Sequence, residues 1–194
     1  MSGTSRWFAG APVAQADRAR AEISRHPTLR SWWAEAERGD WMLWAAGRAG
    51  IDSRMLVSAA LECVQPVLEI LDEESAVVAH QAMSVTAQWV DGRVGPGECR
   101  AAAQKVYREA ERTMPIEDPR KAAARTAALG AVESVVQAAS SDDHRRVAEF
   151  AAEAARRAAG TLGRIHGPDD AERAHVRCAD VVRSKIPVRL LPED

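Results

Sequence analysis

Apolar residues return every three to four positions along almost the whole chain, and alanine-rich stretches alternate with arginine, glutamate and glutamine. That spacing is the helical one, and those residue types are strong helix formers. No stretch alternates valine, isoleucine, threonine or tyrosine with polar residues between turn signals, so no strand is predicted. Proline, glycine and capping residues cut the pattern into nine segments. Helices are expected over 13–25, 28–38, 41–49, 53–71, 75–91, 97–113, 118–139, 141–162 and 169–186. Thr28, Asp40 and Asp118 read as N-caps, the last with Pro119 at the first helical position. Pro66 removes an internal hydrogen bond from the fourth segment and should kink or split it.

Connections of two to six residues make consecutive helices antiparallel neighbours. The predicted fold is all-α, a single domain of about eight to nine antiparallel helices arranged as stacked helical hairpins. That domain spans 12–187. A loose N-terminal segment, 1–11, precedes it, and a tail, 188–194, follows and folds back on its leucines. Trp7-Phe8 is either a staple onto the body or a mobile recognition element.

Four of the six tryptophans fall between positions 32 and 44. Leu29, Trp32, Trp33 and Ala36 form one helical stripe; Trp41, Trp44 and Ala45 form another beyond the Gly39-Asp40 break. Both stripes turned inward make a core corner whose rings supply volume that alanines lack. Trp41, beside Asp40 at the start of its helix, is the ring expected to reach the surface as a partner contact.

Composition narrows the function classes. The formal net charge is -2 and no apolar run spans a membrane. There is no general drive toward nucleic acid, and acidic neighbours offset the Arg145-Arg146 and Arg156-Arg157 pairs. The N-terminus lacks the features of a secretory signal, so the expected compartment is the cytoplasm. Cys63, Cys99 and Cys178 form no CxxC pair and are expected as buried small hydrophobes. Acidic residues gather at helix starts (Asp52, Glu98, Asp118, Asp169), where they meet free N–H groups.

Catalytic signatures are lacking. HExxH, GxSxG and a lysine-bearing phosphate loop are all missing, and VGPGE at 94–98 reads as a turn entering a helix. His175 and Cys178, three apart on one helix, make too small a ligand set for a metal, and His175 is expected as a surface or capping residue. No enzymatic activity, metal or cofactor is expected.

Several stretches carry a resemblance. RGDWMLWAA (38–46), DSRMLVSAALECVQPVL (52–68), AQWVDGRVGPGECRAAAQKVY (87–107) and AHVRCADVVRSKIP (174–187) resemble an alanine-rich, all-helical family of bacterial immunity proteins from polymorphic toxin systems. The likeness covers roughly residues 28–187, with Pro66 a few residues earlier than the family's proline. It implies a protein that binds a cognate toxin stoichiometrically and neutralises it. The expected partner surface combines Trp41 with the acidic corners Asp72, Glu73, Glu74 and Asp142, Asp143. The alternative is a helical-repeat scaffold or regulatory adaptor that self-associates or bridges protein partners.

Overall fold

The computed structural model describes residues 7–8, 16–112 and 118–193. Its helices are α1 (Ala16–Ile23), α2 (Leu29–Glu35), α3 (Gly39–Arg48), α4 (Ser53–Val64), α5 (Glu73–Val90), α6 (Pro96–Glu111), α7 (Pro119–Ser140), α8 (His144–His166) and α9 (Pro168–Lys185). The domain is all-α, with no strand among the described residues. No described helix is long and apolar enough to cross a membrane. Expected helical residues 13–15 and 113, and most of the segment 1–11, lie outside the described residues.

Short polar side chains set the helix starts. Thr28 and Ser31 form a reciprocal capping box at α2. Asp52, Asp72, Asp118 and Asp143 each accept a hydrogen bond from a first-turn amide of α4, α5, α7 and α8. Pro66 ends α4 at Val64, and the chain continues as a 3-10 stretch, Gln65–Ile70. The expected effect of Pro66 on the segment 53–71 is thus a split into two elements, because the proline nitrogen has no proton for the helical ladder. Gly39 begins α3 instead of ending α2. Asp40 lies inside its first turn, not at the N-cap position, which Arg38 holds.

Consecutive helices from α5 to α9 pack as antiparallel hairpins, and α3 and α4 cross back onto α8 and α9. The polar contacts show the direction. Arg100 reaches the Ser140 carbonyl at one end of α6 and α7, and Arg125 reaches Glu109 at the other. α8 is the spine. Val147, Ala148, Ala151, Ala154, Ala155 and Ala158 line its buried face at helical spacing. α3 lies against it and is buried from Gly39 to Gly47, and α7 is buried along most of its second half, from Ala128 to Ala139, while its first turns stay exposed.

Trp32 and Trp33 are buried at the α2 corner, Phe8 meets Trp32 edge-to-face with centroids 5.8 Å apart, and Trp7 is buried beside them. Trp7-Phe8 is thus a staple. At the other terminus Leu191 is buried, and its carbonyl accepts from Arg30 at 2.7 Å, while Leu190 stays exposed. The tail folds back through one of its two leucines.

His144 ties three helices together. Its Nε2 lies 3.0 Å from the Gly47 carbonyl and its Nδ1 lies 3.0 Å from Ser53 Oγ. A carbonyl only accepts, so Nε2 carries the proton and Ser53 donates to Nδ1.

Two glycines test the packing from opposite sides. A Cβ on Gly47 would sit 2.1 Å from the Ala148 Cβ, whereas one on exposed Gly160 would meet nothing within 4 Å. Gly47→Ala is expected to destabilise by about 1–3 kcal/mol through overpacking. Gly160→Ala is expected to stabilise by about 0.5–1 kcal/mol, because it removes glycine's backbone entropy cost from a helix. Denaturant midpoints at unchanged slope give both signs.

Candidate partner-binding groove

The hairpins α6–α7 and α7–α8 diverge on one side and leave an open groove of about 800 Å³. α6 places Arg100, Ala103 and Tyr107 along one wall, because these residues fall outside its buried stripe of Cys99, Ala102 and Val106 or at that stripe's edge. α7 provides Glu133 and Gln137, and α8 provides Arg146 and Phe150. Tyr107 is 48% exposed, and Phe150 is half-buried.

Charge is uneven along the groove. At one end Arg100 and Arg146 stand near Asp142 and Asp143, and Arg100 donates to the Ser140 carbonyl at 3.3 Å. At the other end the Tyr107 hydroxyl donates to Glu111, and Gln137 donates to Glu133 at 2.7 Å. Burial pushes the Glu133 carboxyl above its ordinary value; Arg157 opposes this and Glu111 adds to it. The Glu111 hydrogen bond and charge raise the Tyr107 hydroxyl, with a smaller push from Glu133.

The residues expected to form the partner surface do not converge. Asp142 and Asp143 do line the groove, although Asp143 also caps α8 through the Arg145 amide at 2.9 Å. Asp72, Glu73 and Glu74 lie at the start of α5, where Asp72 meets Arg125. Arg125 and Ser140 are separated by 15 residues of α7, or about 22 Å of helix. Glu73 remains exposed, and Glu74 pairs with Arg112 at 2.9 Å.

Trp41 is only 4% exposed, which corrects the expectation that it reaches the surface. The Arg38 guanidinium covers its ring at 4.8 Å and closes off that face. The indole N–H groups of Trp33, Trp41 and Trp44 are buried without an acceptor among the described residues.

Two buried ionic clusters are structural junctions. In the first, Arg125 of α7 donates to Asp72 at 2.9 Å, to Ser75 at 2.8 Å and to the Glu109 carboxylate, joining α5, α6 and α7. Burial opposes ionisation of Asp72, yet the Ser75 amide and hydroxyl and Arg125 together hold its carboxyl below the ordinary value. In the second, Arg38 grips Asp40 through two hydrogen bonds of 3.0 and 2.8 Å. His175 of α9 lies beside them, its Nδ1 3.5 Å from Asp40 and out of line for a hydrogen bond. The expected surface histidine is therefore enclosed, with a side chain 12% exposed. Burial pushes its imidazole down to about 4; Asp40 pulls the other way, and Arg38 and Arg156 add to the depression.

Arg38 and His175, with Trp41, border a second cleft of about 790 Å³ between α1 and α9. All three cysteines are free and buried. No group of three or more metal-ligating side chains occurs among the described residues.

Sequence reasoning passed over Tyr107, Phe150 and Glu133. Tyr107 carried the clearest signal: it is the only tyrosine and stands off the apolar stripe of its helix. No protein-family model matches the chain, and no curated protein or solved structure matches it.

Two stability measurements probe the junctions. Arg125→Met leaves the buried Glu109 carboxylate with only the exposed Arg112, 3.8 Å away, and is expected to cost about 2–4 kcal/mol, against less than about 0.5 kcal/mol for Arg120→Met on the exposed first turn. For His175 the folded value lies below the ordinary 6.5. Above pH 6.5 the imidazole is neutral in both states; between 6.5 and about 4 only the unfolded chain takes the proton. Stability is therefore lost as the pH drops from 6.5 to about 4, by about 3 kcal/mol in all. Unfolding curves of His175→Gln should lose this slope.

Proposed function

We propose that this chain is a non-enzymatic protein-binding module whose partner surface is the α6–α8 groove. In keeping with the resemblance at residues 28–187, the partner is a cognate bacterial toxin, held inactive in a stoichiometric complex in the cytoplasm. The observation that carries this reading is the groove's make-up. Tyr107, 48% exposed, and half-buried Phe150 line the same groove, together with charged residues of both signs. Aromatic anchors inside a polar rim are the anatomy of a protein–protein hot spot. An immunity protein of this kind needs only to bind tightly and cover its partner, so complementarity of shape and charge does the work.

A specific observation also favours the second reading, a self-associating scaffold. α5 exposes Val77 at 53%, beside a shallow apolar groove that includes Val78, Val85 and Ala102. An apolar helix face of this kind suits contact between copies.

The test is growth rescue combined with co-purification. Cells expressing the product of the neighbouring gene should survive when this chain is present, and the two proteins should co-elute at fixed stoichiometry. Tyr107→Ala with Phe150→Ala should weaken that complex by roughly 30-fold or more, as truncated hot spots do. A chain that rescues nothing and co-purifies only with itself would transfer the assignment to the scaffold, and Val77→Glu should then dissolve the assembly.

A further inference from the structure

We propose that the Tyr107 end of the groove seats a cationic side chain, arginine or lysine, presented by the protein partner. This rests on reading the groove as the partner surface and specifies what that surface recognises.

Glu133 and Glu111 supply the negative charge. Neither forms an ion pair among the described residues: Glu111 accepts from the Tyr107 hydroxyl, and Glu133 accepts from the Gln137 amide. Arg157 is the cation that faces Glu133 from α8, and it is already committed. Its Nε donates to Glu153 and its Nη1 donates to the Gly130 carbonyl at 3.2 Å. The other two groove arginines, Arg100 and Arg146, belong to the opposite end, near Ser140 and Asp143. α6 and α7 are antiparallel, so Tyr107 and Glu133 are about 10 Å along the helix axes from that end.

Arg108, exposed beside Tyr107 and three positions before Glu111, lies on the outer side of α6, and Arg157 is the cation whose charge acts on Glu133. A half-buried carboxylate whose one nearby cation is already committed is costly unless a partner neutralises it. The raised pKa of Glu133 is consistent with that imbalance. Tyr107 adds the second element of recognition. It is tethered at its hydroxyl, and its ring is open to solvent, so a guanidinium or ammonium can lie on it while meeting the carboxylates at its edge. Charge and aromatic surface together select a cation over an anion or an apolar side chain.

The chain's single tyrosine makes the test direct, because its ring gives one set of resonances in tyrosine-labelled protein. Tetra-arginine peptide is titrated into the full chain, with tetra-glutamate as the control. Tetra-arginine should shift the Tyr107 ring saturably, and tetra-glutamate should not. Glu111→Gln with Glu133→Gln, near-isosteric changes that keep the groove's shape, should weaken the peptide roughly tenfold while the thermal unfolding midpoint holds. Affinity should also fall as the pH drops through the raised Glu133 value, because protonation removes the attracting charge. An unmoved Tyr107 ring, equal shifts with tetra-glutamate, or unchanged affinity in the double variant would overturn the seat. Peptide binding without growth rescue supports the seat and removes the toxin reading; growth rescue with an unmoved ring overturns the seat alone.

Discussion

The separation between α8 and its neighbours governs the rest of the molecule. The spine's buried face is almost entirely alanine, and α3 meets it where Gly47 faces Ala148 with no room for a methyl group. The same economy recurs at Gly39, where a Cβ would strike the backbone of Cys178, and at Gly163 against Ala171. Helices held this close make many weak dispersion contacts and leave no space for a bulky side chain between them. Larger residues are displaced to the edge of the spine. The tryptophans collect instead on α2 and α3, where Trp32, Trp33, Trp41 and Trp44 are all buried.

An interior of small apolar side chains has little to distinguish one helix register from another. The buried ionic clusters provide that distinction. Arg125 satisfies its donors only when α5, α6 and α7 are correctly placed, and the Arg38–Asp40 pair at the start of α3 is enclosed by His175 of α9. Buried ion pairs contribute little net stability, yet a mispaired arrangement leaves a charge stranded in the interior. The groove belongs to the same scheme. Its walls are the outward faces of helices whose inward faces are fixed by these junctions, so Tyr107 and Phe150 are held on rigid supports.

Helix content and most helix starts were legible in the sequence, because capping is local. Thr28, Asp52, Asp118 and Asp143 cap the elements that their spacing announces. The inward turn of the tryptophan stripes was legible for the same reason, since their period matches the helix. Asp40 was misread because sequence places it after a glycine, as a cap should be, but the helix starts one residue earlier and Arg38 takes its carboxylate through two hydrogen bonds within the first turn. Trp41 was misread in consequence, because Arg38 lies across its ring. Of the expected partner surface, Asp142 and Asp143 alone line the groove. Its aromatic wall joins Tyr107 on α6 to Phe150 on α8, 43 positions along the chain, and no local pattern encodes that distance.

The alanine spine also shapes how such a molecule can change over generations. What it demands is close separation and little else, and a stretch of alanines is much the same text in any helical protein. Substitutions on the outer faces meet little resistance, while those on the spine are confined to a few of the smallest side chains. Descendants of this chain could therefore keep their architecture closely and still share few distinctive letters, with kinship written in geometry long after it has faded from the sequence.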